Sequence, residues 1–245
     1  MLITIESKRL HICLIIICAF LINCTHENPT LSTAENESKA WTLDNFVKVD
    51  SLNPILNPSH DLKFKCPVSN TEIQWESRNV LNPAAIVHDT MVYLFYRAQD
   101  SSGTSRIGLA TSHDGLHFAK HSSPVLFPDN DAMKKYEWNY KKLAKDLPQE
   151  NCTNCYFDGV EDPRVVMSGD GSYIMTYTAY DGKTARLCVA SSNNLLQWEK
   201  HGLAFKDKKY SDLWSKAGAI IVERHADQFI AKKVGGKYWM YFGDT

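Results

Sequence analysis

From Trp41 onward, short apolar runs alternate with clusters of Gly, Asn, Asp and Pro. Runs of this length, rich in Val, Ile, Tyr and Phe and bounded by turn formers, predict β-strands. Asn82-Pro83-Ala84-Ala85-Ile86-Val87 is one such run, His88-Asp89 a turn, and Met91 to Arg97 the next. Ser105 to Ser112 makes a third, and beyond His113-Asp114-Gly115 the segment Leu116-His117-Phe118 makes a short fourth. Strands joined in succession by tight turns form one antiparallel sheet.

The frame then returns. Asp162-Pro163-Arg164-Val165-Val166 answers Asn82-Pro83-Ala84-Ala85-Ile86, and Tyr177-Thr178-Ala179-Tyr180-Asp181 answers Tyr96-Arg97-Ala98-Gln99-Asp100. Arg186 lies 80 residues beyond Arg106, and His201 lies 80 beyond His121. A third copy opens at Ala217-Gly218-Ala219-Ile220-Ile221 and runs on through Lys237 to Asp244, with Tyr241 placed 64 beyond Tyr177. Repeated four-stranded units predict a β-propeller, whose blades pack around a central channel. The alternative, chance likeness between short β-runs, has to account for all of these matches at once. A charged insertion from about Asp129 to Asp158 lengthens the first interval and predicts a loop on the face that carries the site.

The chain begins differently. Lys8 and Arg9 precede an uncharged run from Leu10 to Ile22, too short to span a bilayer comfortably, so residues 1–24 read as a secretory signal. Leu21-Ile22-Asn23-Cys24 resembles a lipoprotein cleavage box, although Asn23 stands where Gly, Ala or Ser is usual. Two outcomes stay open: plain cleavage, or acylation of Cys24 and attachment to a membrane through that lipid. Either places the protein outside the cytoplasm, in the periplasm or at the cell surface. Residues 25–40 are polar and read as a tether, and 41–245 as the folded domain.

Composition narrows the picture only slightly. With 245 residues, 44% of them hydrophobic, and a net charge of -1, the chain can build one sizeable core, and nucleic acid is not an expected partner. Cys152-Thr153-Asn154-Cys155 has a metal-type spacing, but no second pair completes four ligands, so a local disulfide is expected rather than a metal. No cofactor is expected.

The candidate chemistry lies in Gly159-Val160-Glu161-Asp162-Pro163-Arg164, where two carboxylates and a guanidinium fall within four residues. A strand-entry turn, with Gly159 for freedom and Pro163 for a fixed φ, is the structural reading. Together with Asn82-Pro83-Ala84-Ala85, Tyr96-Arg97-Ala98-Gln99-Asp100, Ser105-Arg106-Ile107-Gly108-Leu109-Ala110 and Lys216-Ala217-Gly218-Ala219, the segment resembles glycoside hydrolase family 130 over about residues 79–245. These are β-mannoside phosphorylases and β-mannosidases. The resemblance implies an all-β, five-bladed β-propeller acting on manno-oligosaccharides. Five blades of ~50–60 residues call for roughly 300 residues, so this chain is expected to hold only the first blades.

The resemblance implies that Asp162 is the general acid, passing its proton through a mannose hydroxyl. Asn82, Arg97, Asp100, Glu161, Arg164 and Lys216 are the positions expected to bind and orient the sugar and the nucleophile, while Arg106, repeated as Arg186, fits a structural role. Like-charge repulsion from Glu161 is expected to raise one acid's pKa, with Arg164 holding the other ionised. Phe242 stands where the phosphorylases carry a phosphate-binding His, which predicts an inverting hydrolase of β-1,2-linked mannosides with Glu223 or Asp244 activating water. The alternatives are a phosphorylase that uses inorganic phosphate, an arabinan- or fructan-cleaving propeller, and a glycan-binding surface protein without catalysis.

Overall fold

The alternation centred on residues 79–120 forms a four-stranded antiparallel unit: β3 (Asn79–His88), β4 (Met91–Gln99), β5 (Thr104–Ser112) and β6 (Ala119–Lys120). A hairpin of β1 (Ser59–Cys66) and β2 (Thr71–Glu76) precedes it. The computed structural model describes residues 48–143 and 157–243, which but for Lys48 belong to one compact unit, Val49–Thr245. The second copy of the frame forms β7 (Asp158–Met167), β8 (Tyr173–Tyr180), β9 (Ala185–Ser192) and β10 (Glu199–Leu203), again antiparallel in succession. In the third, β11 (Lys216–Ile220) pairs with β16 (Met240–Gly243). Between them lie the hairpin of β12 (Val222–His225) and β13 (Gln228–Ala231) and the short pair β14 (Lys233–Val234) and β15 (Lys237–Tyr238).

The described residues are thus all-β and propeller-like, apart from short helical turns: α1 (Lys134–Glu137) and 3-10 turns at Tyr140–Leu143 and Lys208–Tyr210. No ring of strands closes among the described residues, which hold two full units and part of a third.

One strand prediction was misplaced. Residues 116–118 belong to a turn, because Asp114 Oδ1 accepts the backbone N–H groups of Leu116 and His117, at 2.9 and 2.8 Å, and leaves none for a ladder. The second unit repeats this with Asn194 Oδ1 on Leu196 and Gln197.

The core lies between the units. Phe95, Ile107, Leu109, Val160, Met175 and Tyr177 are fully buried in one cluster, and β5 is buried along almost its whole length because sheet flanks it on both sides. The units are joined where β5 and β7 run parallel, Ser105 beside Gly159. Gly159 is required there: its φ is 112°, and a Cβ would come within 2.1 Å of the Ser105 carbonyl oxygen.

Against each full unit a carboxylate from outside its four strands is also buried, Glu76 from β2 and Glu137 from α1. Glu76 accepts hydrogen bonds from Lys120 and from Tyr96 Oη, the latter at 2.8 Å. Glu137 on α1 accepts from Lys200 Nζ at 2.5 Å and from Tyr177 Oη at 3.0 Å. Tyr96 and Tyr177, and Lys120 and Lys200, occupy equivalent places in the two units, so the Glu–Tyr–Lys arrangement is part of the repeat. Both glutamates are inaccessible to solvent. A buried ion pair contributes little over an apolar isostere, but breaking one leaves an uncompensated charge. Lys120→Met is therefore expected to destabilise the protein by about 3 kcal/mol, and adding Glu76→Leu to recover much of the loss. Guanidinium unfolding of the three proteins measures this; an unchanged midpoint for the single variant would show that Glu76 needs no counter-ion.

Candidate active site

The three first strands share one local distortion. Between Leu81 and Ala84, Glu161 and Arg164, and Lys216 and Ala219, the inner strand advances three residues while its partner advances two. Each is a β-bulge, and each has a residue at positive φ: Asn82 at 49°, Asp162 at 49° and Ala217 at 55°. Asn and Asp tolerate this left-handed conformation better than other non-glycine residues, although a following proline disfavours it. Pro83 and Pro163 lack an N–H to lose at a bulge. The repeat thus places Asn82, Asp162 and Ala217 at equivalent points, preceded by Leu81, Glu161 and Lys216.

The first two bulges meet. Asn82 Nδ2 donates to Asp162 Oδ1 at 2.6 Å, and Arg97 Nη1 lies 3.5 Å from the same oxygen. Asp162 Oδ2 makes no hydrogen bond among the described residues. Arg97 Nη2 pairs with Glu161 Oε1 at 2.6 Å, and Ser105 Oγ donates to that oxygen at 3.1 Å. Burial pushes the Glu161 carboxyl up to about 7, with the Asp162 charge adding to the shift and Arg97, Ser105 and Lys216 opposing it. Burial, reinforced by the Glu161 carboxylate, likewise raises the Tyr180 phenol above its ordinary value.

The structure therefore brings together Asn82, Arg97, Glu161 and Asp162, with the charge of Lys216 felt at Glu161. Lys216 itself lies over the Trp214 ring. Other expected members are elsewhere. Asp100 is occupied in a turn: Oδ1 accepts from the backbone N–H groups of Ser102 and Thr104, and Oδ2 pairs with Arg106 at 2.7 Å. Against the upward push of burial, Arg106 and these donors hold Asp100 below the usual carboxylate range. Arg164, expected to hold an acid ionised, instead bonds the Pro163 carbonyl oxygen at 2.8 Å, and the guanidinium that pairs with an acid here is that of Arg97 from the neighbouring unit. Glu223 pairs with His225 and Lys232 on an exposed hairpin. It stands opposite Ile230, whose other neighbour is Met167, five residues and about 16 Å along β7 from Asp162. A surface cavity of 660 Å³ lined by Ser168, Asp170, Glu223, His225, Lys233 and Tyr238 holds none of the cluster. Asp244, Cys24, Cys152 and Cys155 lie outside the described residues.

Sequence reasoning missed Ser105, Gln99 and Tyr180 as neighbours of the carboxylates. The signal was present in the repeat: Gln99 and Ser105 face each other on β4 and β5, whereas the equivalent pair in the second unit is Tyr180 and Ala185.

The fold and site together are an all-β, propeller-like scaffold with paired carboxylates and an arginine where two units meet. The family is shown directly: a family model described as beta-1,4-mannooligosaccharide phosphorylase matches residues 48–245, and the chain belongs to glycoside hydrolase family 130. A 1,2-beta-oligomannan phosphorylase from Thermoanaerobacter sp. (strain X514) is 32% identical over 179 residues, covering 69% of this chain and 47% of the relative. A beta-1,2-mannobiose phosphorylase from the same organism is 27% identical over 186 residues, covering 69% of this chain and 49% of the relative. Among solved structures, a glycosyl hydrolase from Bacteroides ovatus is 39% identical with a TM-score of 0.72, covering 83% of this chain and 54% of that one. The same values hold for a structure described under the statement that the family of mannoside phosphorylases contains glycoside hydrolases that target beta-1,2 mannosidic linkages in Candida mannan. The chain spans about half the length of the curated relatives it matches.

The buried Glu161 carboxyl yields a prediction. Folded Glu161 takes up its proton near pH 7 and the unfolded chain near 4.5, so folding binds a proton across that window. Its contribution to stability is full below about pH 4.5 and is lost as pH rises through 7. Glu137, which burial also pushes up to about 7, is shared with any Glu161 variant and cancels in a comparison. The stability of the wild type relative to Glu161→Gln should fall between pH 4.5 and 7 when unfolding is followed at several pH values. A difference that stays flat would mean that Arg97 keeps Glu161 ionised throughout.

Proposed function

We propose that the chain belongs to an enzyme that cleaves β-1,2-linked mannosides with inorganic phosphate as acceptor and Asp162 as general acid. The observation that carries this reading is the junction of the two bulges, where Asn82 anchors Asp162 Oδ1 and leaves Oδ2 for a transferable proton. Arg97, held by Glu161 beside it, supplies positive charge at the same place. In the reaction a phosphate oxygen bonds to the anomeric carbon as the bond to the glycosidic oxygen breaks. The departing sugar takes the proton from Asp162, and mannose 1-phosphate is the other product. The family model and the two Thermoanaerobacter relatives support phosphate over water, against the hydrolysis expected from the sequence.

Hydrolysis is retained as a second reading on one observation. Phe242, in the place where the resemblance puts a phosphate-binding His, packs its ring 4.7 Å from Phe205 and offers no charge. A 39% identical solved structure whose description includes hydrolases of β-1,2 linkages agrees with it.

Incubation of the purified protein with β-1,2-mannobiose, with and without phosphate, separates the two. Phosphate-dependent turnover with mannose 1-phosphate as product is expected; free mannose at a rate indifferent to phosphate would replace phosphorolysis by hydrolysis. In either case Asp162→Asn should lower kcat by at least about 100-fold with little change in unfolding midpoint, because it removes the proton and keeps the shape. Retention of most activity would exclude Asp162 as the acid.

A further inference from the structure

Beneath the carboxylate pair lies a chain of hydrogen bonds that no part of the reaction described above uses. Asn79 Nδ2 donates to Gln99 Oε1 at 2.8 Å, which turns the Gln99 amide nitrogen towards Ser105. Gln99 Nε2 then donates to Ser105 Oγ at 3.2 Å, and Arg97 Nε donates to the same oxygen at 3.0 Å. A serine hydroxyl has two acceptor sites and one proton. With both acceptor sites filled, the remaining O–H is directed to Glu161 Oε1. Ser105 and Gln99 are buried, so no solvent competes for these bonds.

The repeat shows that the fold does not demand this arrangement. In the second unit the equivalents of Arg97, Gln99 and Ser105 are Thr178, Tyr180 and Ala185, on the same strands in the same register. There the equivalent of Glu161 is Lys216, and the buried Thr178 hydroxyl has no hydrogen-bond partner among the described residues. Alanine at the serine's place is therefore compatible with the backbone, and the polar chain occurs where the carboxylate pair is.

The groups that face Glu161 are Arg97 from β4, Ser105 from β5, its neighbour Asp162 on β7, Tyr180 from β8 and Lys216 from β11. Arg97 lies between the two carboxylates, 2.6 Å from Glu161 and 3.5 Å from Asp162. An ionised Glu161 engages the guanidinium; a protonated one releases it to Asp162, whose proton the reaction needs.

We propose that Ser105 is a positioning residue of this site: held by Arg97 and Gln99, its hydroxyl donates to the carboxylate form of Glu161 and favours its pairing with Arg97, which leaves Asp162 free to carry the transferable proton. The effect on turnover rests on the role given to Asp162 above; the effect on Glu161 does not.

The test uses the full chain with ¹³C-labelled glutamate, its Glu161 carboxyl signal assigned by loss in Glu161→Gln. In Ser105→Ala the midpoint of the Glu161 titration should rise by about 0.5 to 1 pH unit, the loss of one hydrogen bond to the charged form. On β-1,2-mannobiose, kcat at pH 7 should fall by at least about fivefold with KM within about twofold, and Ser105→Thr, which keeps the hydroxyl, should restore both midpoint and kcat. An unmoved midpoint in folded Ser105→Ala overturns the proposal whatever the activity, and a moved midpoint with unchanged kcat overturns the positioning role. If the wild type turns over no mannoside, the assigned function fails, while the titration still decides whether Ser105 controls Glu161.

Discussion

The β-bulge at the start of each inner strand is the constraint on which the site depends. A regular strand alternates its side chains strictly, so Glu161 and Asp162 would point to opposite faces of the sheet. The extra residue in β7, with Asp162 at a φ of 49°, breaks that alternation. It lets Glu161 turn to Arg97 and Ser105 while Asp162 reaches Asn82, which sits in the same distortion one unit earlier. A conformation sparsely populated by non-glycine residues is thereby used twice, at the two positions whose side chains touch each other.

The second condition is that buried charge is compensated wherever it does not serve the site. Glu76 and Glu137 each have a lysine and a tyrosine hydroxyl, and Asp158 has Lys142 at 2.6 Å. These pairs explain how a chain with so many buried acids stays folded, since each carboxylate left alone would cost several kcal/mol. Glu161 differs from them in its neighbour: its counter-ion, Arg97, also lies 3.5 Å from Asp162, the next residue on β7, while burial pushes the Glu161 carboxyl up to about 7 just as it does Glu137.

Much of this was legible beforehand. The offset of 80 residues gave the repeat and therefore the equivalence of Asn82 and Asp162, because a four-stranded unit leaves its period in the turns and apolar runs. The contact between Asn82 and Asp162 follows from that equivalence once the units are adjacent. What sequence proximity misassigned was partnership. Arg164, two residues from Asp162, was expected to pair with an acid, but the guanidinium that does so comes from Arg97, more than sixty positions earlier. Asp100 was read as a sugar ligand from its motif, yet its geometry with Arg106 and two turn N–H groups is that of a strap across a loop. Glu223 satisfied the demand for a second acid in composition only, and its strand carries it to the far end of β7.

The repeat itself offers a way to separate the residues that hold the fold from those that perform chemistry. Where both units keep a group, the fold requires it: Arg106 and Arg186 each bind the aspartate that opens their loop at 2.7 Å and the carbonyl of a threonine at 3.2 Å. Where equivalent positions diverge on an unchanged backbone, the fold is indifferent and another requirement has chosen the residue. Arg97 against Thr178, Ser105 against Ala185, and Glu161 against Lys216 all diverge in this way, and they converge on one place. Asn82, Asp162 and Ala217 share a bulge and a positive φ but only the first two share a hydrogen bond, so the backbone alone does not account for an acid at 162.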